Sequence, residues 1–125
     1  MNSKWQILYY VKQDGTKPVE EFIRNLSINE RAKTFAFIEK LKEKGPDLHR
    51  PYADLLEDGI HELRIKLTGD QVRILYFFCY KDIIILTNVF EKHTDKVPKS
   101  EIIAAKKNRD DFFDRYTEQE IRRFL

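Results

Sequence analysis

The sequence predicts an α+β domain with element order β-α-α-β-β-β-α, a small antiparallel sheet with a helical hairpin packed on one face and a C-terminal helix. Three observations predict this class. Apolar residues alternate or run continuously over strand lengths, recur at helical spacing elsewhere, and are separated by turn residues. With 125 residues, 42% of them hydrophobic, we expect one domain over residues 1–125.

The first strand and the first helix are predicted from composition and turn signals. Trp5 to Val11 is rich in aromatic and β-branched residues and precedes the turn Asp14-Gly15. Pro18 favours the first position of a helix, and apolar residues then recur at helical spacing until about Ser27. A strand followed by a helix of about two turns is therefore expected.

A second helix is predicted between a capping signal and a stop signal. Ser27 and Glu30 have the spacing of a capping box, and Gly45-Pro46 cannot continue a helix. Its predicted apolar face is Ile28, Ala32, Phe35, Ile38 and Leu41.

Three consecutive strands follow a loop through Pro51. Ile60 to Leu67 alternates, with Glu62, Arg64 and Lys66 on its polar face. A two-residue turn at Gly69-Asp70 would return the chain as Val72 to Tyr80 and place Lys66 opposite Arg73. Ile83 to Phe90 is nearly all apolar, which favours the interior of the sheet.

A third helix is predicted after Pro98, with Ser100 as its candidate cap. The last segment, Glu118 to Leu125, either continues it after a kink or holds a partner. The predicted apolar face is Ile102, Ala105, Phe112 and Tyr116.

Composition limits where the protein works. The single cysteine, Cys79, excludes an internal disulfide framework and favours a reducing compartment. The N-terminus lacks the apolar core of a signal peptide, and no apolar run approaches the roughly 20 residues of a membrane span. We therefore expect a soluble cytoplasmic protein.

Positive charge is concentrated in one region. Between Arg64 and Lys107 nine Lys and Arg oppose five Asp and Glu, a balance of +4, whereas 14 oppose 16 elsewhere. The predicted register gathers Arg64, Lys66 and Arg73 on one face, and like charges on facing strands favour an anionic partner, either a phosphate or the nearby Glu62. Leu75 and Phe77 share this face, where they would either stack bases or form a second core under the third helix.

Three blocks of the sequence carry a family resemblance. Leu55 to Ile65, Arg73 to Phe77, and Phe90 to Pro98 with Glu101-Ile102 and Ala105 resemble the phage-derived HigB-like branch of the RelE/ParE toxin superfamily. The likeness spans roughly residues 4 to 115. Two positions depart from it, because His93 stands where Lys is usual and Val97 where Thr is usual.

The resemblance implies a RelE-like fold and a type II toxin that cleaves mRNA in the ribosomal A site. It further implies a cognate antitoxin with a helix-turn-helix, no metal and no cofactor. The chemistry is attack of a ribose 2′-hydroxyl on the adjacent phosphate, which needs a base, an acid and donors for the developing charge. We assign Arg64 and Arg73 to phosphate, Lys92, His93 and Lys96 to proton transfer and charge stabilisation, and Lys66, Lys99 and Phe77 to RNA binding.

Two alternatives stay open at this point. The same fold hosts ParE-like toxins, which inhibit DNA gyrase without cleaving RNA. A phage-derived regulator that holds nucleic acid on its basic face would also have this charge pattern. No Gly-rich phosphate loop, paired metal-spaced histidines or Ser/His/Asp arrangement suggests a different enzyme.

Overall fold

A computed structural model describes residues 5–94 and 96–125. Over these residues the elements are β1 (Gln6–Tyr9), α1 (Pro18–Arg24), α2 (Ile28–Lys44), β2 (Ala53–Glu57), β3 (Ile60–Lys66), β4 (Gln71–Cys79), β5 (Ile83–Lys92), α3 (Lys99–Arg115) and α4 (Glu118–Arg122). A short 3₁₀ turn, Gly45–Asp47, follows α2. The α+β class is confirmed.

The sheet has five strands in the order β1-β5-β4-β3-β2. The strands β2 to β5 pair antiparallel, but β1 pairs parallel with β5, so the prediction of an antiparallel sheet is wrong at one edge. The prediction also missed β2, a strand of five residues whose pairing with β3 is interrupted between Leu55 and Glu57. Its short, irregular pattern gives little period-two signal.

Helices cover both faces of the sheet and create two cores. On one face α1 and α2 bury Val19, Ile23, Ile38 and Leu41 against the odd-numbered face of β3. On the other face α3 and α4 bury Ala105, Phe112 and Ile121 against β4 and β5. The C-terminal segment therefore packs on the domain, with Ile121 fully buried.

The boundaries of α2 are confirmed, but its predicted apolar face is wrong at three of five positions, Ile28, Ala32 and Phe35, which are exposed. Ser27 Oγ accepts a hydrogen bond from the Glu30 N–H at 3.2 Å, and the helix ends at Gly45 with φ 53°. Ile28 and Phe35 are 81% and 44% exposed. The buried face instead includes Thr34, whose hydroxyl donates to Glu30 O and so needs no external partner.

The turn between β3 and β4 lies one residue earlier than predicted. Leu67 and Asp70 exchange main-chain hydrogen bonds of 2.9 and 3.1 Å, which leaves Thr68 and Gly69 as the turn. Gly69 has φ 78° in the second central position, where a type II turn favours glycine. Arg64, not Lys66, therefore lies directly opposite Arg73.

The C-terminal helices begin with different caps. The N-cap of α3 is Pro98, so Ser100 lies in the first turn and the predicted cap is wrong. Thr117 and Glu120 form a complete capping box at α4. None of the helices in residues 5–94 and 96–125 is long and apolar enough to cross a membrane.

Candidate nucleic-acid interface

A polar cleft of about 370 Å³ lies between β2, β3, the end of β5 and the start of α3. We call it the cationic cleft, because four cations and two carboxylates line it. The lining residues are Arg50, Asp54, Leu56, Glu62, Arg64, Lys92, Lys96, Val97 and Ile102. The resulting surplus of two positive charges suits an anionic ligand.

Arg64 lines the cleft from β3. It lies on β3, half-buried, and its own main-chain N–H donates to Tyr52 O at 2.8 Å. Within the described residues its guanidinium forms no salt bridge. A fixed backbone with an unpaired guanidinium is suited to holding a phosphate through two parallel hydrogen bonds.

Arg73 lies beneath this surface rather than on it. Its Nε is 3.0 Å from Glu62 Oε1, and the two side chains are 3% and 7% exposed. The guanidinium also donates to Val72 O at 3.2 Å. Burial lowers the pKa of Arg73, with Glu62 opposing and Arg64 reinforcing this shift. Arg73 therefore holds the Glu62 carboxylate at the floor of the cleft.

The remaining cations reach the cleft from two directions. Lys92 ends β5 and pairs in register with Gln71, and Lys96 follows in the connection to α3, where Thr94 Oγ1 donates to Lys96 O at 2.8 Å. Arg50 enters from the loop before β2 and donates twice to Asp54 Oδ2, at 2.8 and 3.0 Å. Its charge is thus partly compensated, whereas Lys92 and Lys96 add positive charge at the rim.

Besides the buried Arg73 and Phe77, three exposed predicted site residues lie outside the lining of the cleft. His93 is 76% exposed, and its Nε2 is 3.9 Å from Glu91 Oε2. Lys66 is exposed at the end of β3 opposite Gln71, and Lys99 is exposed at the start of α3. All three are open to solvent, and within the described residues no hydrogen bond or salt bridge joins them to Glu62.

Phe77 belongs to the second core instead of the surface. It is 2% exposed and packs edge-on against Phe112, with ring centroids 6.0 Å apart. Leu75 beside it is fully buried. Of the two predictions for this face, the core under the third helix is therefore confirmed, and the ring of Phe77 is not open to a base.

Sequence reasoning named Glu62 only as an alternative anionic partner for the cations of β3 and β4, and its ion pair with Arg73 confirms that alternative. Among the charged residues of the cleft it missed Arg50 and Asp54. Arg50 and Asp54 lie in the loop before β2 and in β2, the strand that the sequence pattern does not reveal. The sequence indicates this pair only through two opposite charges that lie four residues apart.

This fold and cleft define a small α+β domain with a site suited to an anionic ligand. Residues 21–110, most of the chain, match the family described as phage-derived protein Gp49-like (DUF891), and the chain belongs to this family of toxin-like proteins of toxin–antitoxin systems. A comparison with curated proteins gives no match. The toxin-like family of the resemblance is confirmed, whereas the HigB-like branch stays a prediction.

Proposed function

We propose that this protein is a HigB-like toxin that cleaves ribosome-bound mRNA in the cytoplasm. The observation that supports this most is the cationic cleft, which Arg64, Lys92 and Lys96 line together with the buried carboxylate of Glu62. A cleft with cations alone would bind any polyanion. A carboxylate held among them adds a proton acceptor next to the place where a phosphate would lie.

The reaction we assign to the cleft is an in-line displacement at phosphorus. The carboxylate of Glu62 accepts the proton of the ribose 2′-hydroxyl while the 2′-oxygen attacks the adjacent phosphate. The bond from phosphorus to the 5′-oxygen breaks, and an ammonium, Lys92 or Lys96, protonates the leaving oxygen. The products are a 2′,3′-cyclic phosphate and a 5′-hydroxyl end.

Arg64 supplies most of the transition-state stabilisation in this scheme. Negative charge grows on the non-bridging oxygens as the 2′-oxygen attacks, and preorganised donors aimed at such charge are typically the largest catalytic effect. Arg73 acts through Glu62 and is a positioning residue. Lys66 and Lys99 lie where they would meet the RNA backbone, and His93 is a flanking contact rather than the proton carrier.

The family implies an antitoxin partner. We propose that this antitoxin is a helix-turn-helix protein and that the ribosome presents the mRNA in its A site. Both points follow from the resemblance to HigB-like toxins.

The test is cleavage of a defined mRNA in a purified translation system, with primer extension to locate the cuts. We expect cyclic-phosphate ends from the native chain, and a loss of about 10²- to 10³-fold in rate for Arg64→Ala. Lys33→Ala, which removes an exposed cation from α2 on the other face of the sheet, is the matched control and should cleave normally.

Two results would overturn this proposal. Growth arrest on expression with intact mRNA and a DNA-damage response would identify a ParE-like gyrase inhibitor. Neither arrest nor cleavage, with retained binding to RNA or DNA, would identify a nucleic-acid-binding regulator.

A further inference from the structure

Among the described residues, β1 is an edge strand of the sheet, with β5 on one side and no strand on the other. Gln6 N–H donates to Asp82 O at 2.7 Å and Tyr10 N–H to Leu86 O at 3.0 Å, both toward β5. In a parallel ladder the residues between such positions direct their main-chain groups the other way. Ile7 and Tyr9 therefore point their N–H and C=O groups away from β5, toward the free edge.

A cleft lies on each face of the sheet beside this edge. One, of about 400 Å³, lies against α1 and α2 and is lined by Tyr9, Glu20, Ile23, Arg24, Arg31 and Phe35. The other, of about 260 Å³, lies against α3 and α4 and is lined by Leu8, Tyr9, Val11, Phe112, Tyr116 and Phe124. Because successive side chains of a strand point to opposite faces, a strand added at β1 would place alternate side chains in the two clefts.

The two clefts differ in the side chains that they would accept. In the first, Arg24 pairs with Glu20 at 3.2 Å, while among the described residues Arg31 donates only to the main-chain oxygens of Arg24 and Leu26. The Arg31 Nε is buried and has no hydrogen-bond partner among the described residues. This cleft has a surplus of one positive charge and an unsatisfied donor, so it favours an acidic side chain.

The second cleft favours large apolar side chains. Its lining is mainly aliphatic and aromatic, and Phe124 at its border is 61% exposed. Tyr116 and Phe124 pack with ring centroids 5.6 Å apart, which forms a wall that an apolar side chain would cover. Exposed aromatic surface beside an open strand edge is typical of a protein-binding site.

We propose that an extended segment of the antitoxin pairs with β1, directing acidic side chains toward Arg24 and Arg31 and apolar side chains toward Phe112 and Phe124. This inference rests on the proposed function, because it requires the protein to be a toxin with an antitoxin. The strands β5 and β4 separate β1 from β3, so the segment itself docks away from the cationic cleft.

The test uses a synthetic ten-residue peptide that alternates glutamate with leucine or phenylalanine, and a matched peptide in which lysine replaces glutamate. We expect only the acidic peptide to bind the full chain, with protection of the Ile7 and Tyr9 amides in hydrogen exchange followed by NMR. N-methylation of the peptide amides that face β1 should weaken binding about 100-fold, whereas N-methylation of the outward amides should leave it unchanged. This control needs no change in the protein.

A charge reversal in the first cleft tests side-chain specificity. Arg24→Glu should weaken the peptide about tenfold and Lys33→Glu should not. No binding by any peptide at about 1 mM, equal effects of the two N-methylated sets, or β1 pairing with a second copy of the chain in sedimentation would each overturn the proposal. The mRNA cleavage assay on the same samples reports the proposed function separately, since Arg24→Glu should cleave normally.

Discussion

Asp111 and Glu62 are two of the carboxylates that arginine holds in this protein, and they are held in opposite ways. Asp111, on α3, accepts from Tyr10 Oη at 2.5 Å, from Gln13 Nε2 at 2.7 Å, and from two nitrogens of Arg115 at 2.6 and 2.9 Å. Glu62, on β3, has one cation in contact among the described residues, Arg73, and lines a cleft with further cations. The first carboxylate is satisfied within the domain, whereas the second leaves positive charge available to a ligand.

The difference shows in how each site responds to protons. Burial raises the pKa of Asp111, but the bonds from Tyr10, Arg115 and Gln13 outweigh it and hold that pKa at about 2. Burial, with help from Asp111, raises the pKa of Tyr10 to about 12. This cluster keeps its charge over a wide pH range, as suits a contact that fastens α3 to the sheet beside β1.

The largest expected effect comes from breaking the buried pair. Arg73→Ala leaves the Glu62 carboxylate 7% exposed with no cation in contact, and we expect a loss of about 3 to 5 kcal/mol in the free energy of unfolding. Urea unfolding followed by circular dichroism measures this loss. The variant should therefore lose toxicity through instability, which makes it a poor test of phosphate binding.

A double variant distinguishes the effect of an unpaired buried charge from the effect of lost packing. Replacing both partners with apolar residues, Glu62→Leu together with Arg73→Met, removes the unpaired charge and should recover most of the stability. It should remain inactive in mRNA cleavage, because the proposed proton acceptor is gone. Equal instability of the single and double variants would show that shape rather than charge holds this site.

A smaller effect is expected at the satisfied carboxylate, and its pH dependence has a definite sign. The pKa of Asp111 is lowered on folding from 3.8 to about 2, so its contribution is fully present above about pH 4 and is lost as the pH falls toward 2. Asp111→Asn should cost about 1 to 2 kcal/mol at neutral pH. The difference in melting temperature between this variant and the native chain should narrow as the pH falls through that range.

Asp114→Asn is the matched control for this experiment. Asp114 is an exposed carboxylate on the same helix and forms no hydrogen bond or salt bridge among the described residues, so its removal should change little. A gap between Asp111→Asn and the native chain that stays constant down to pH 2 would contradict the assigned role of the Asp111 charge.

Local patterns predict the elements here better than they predict how elements meet. Pro18, Ser27 and Gly45 define helix ends through bonds within a few residues, and all three are confirmed. The parallel pairing of β1 with β5 depends on how the chain returns after some 70 residues, which no local signal encodes. The turn at Gly69 was misplaced because glycine suits either central position of a two-residue turn.

The candidate site shows the same limit. The cationic residues of β3 and β5 are visible as a charge imbalance, and Arg64, Lys92 and Lys96 do line one cleft. The burial of individual side chains cannot be predicted from the sequence in the same way. The period-two pattern places Arg64, Arg73 and Phe77 on one face of the sheet, but it does not indicate that α3 covers part of that face. The structure separates Arg64, which faces the cleft, from Arg73 and Phe77, which do not face solvent.

The smallest expected effect on stability is at Arg64. This variant tests most directly whether the cationic cleft, unlike the Asp111 cluster, has positive charge available to a ligand. Arg64 lies opposite Arg73 and forms no salt bridge within the described residues, so Arg64→Ala removes repulsion between like charges rather than an attractive contact. The free energy of unfolding of this variant should change by no more than about 0.5 kcal/mol, in either direction.

Binding of a short single-stranded RNA to Arg64→Ala should be weaker than to the native chain. The slope of the logarithm of the binding constant against the logarithm of salt concentration should become shallower by about 0.7, the value for one lost phosphate contact on a single strand. Fluorescence anisotropy over a salt series measures both quantities, and Lys33→Ala should leave both unchanged. An unchanged salt dependence in Arg64→Ala would mean that the unpaired charge at the cleft does not meet phosphate.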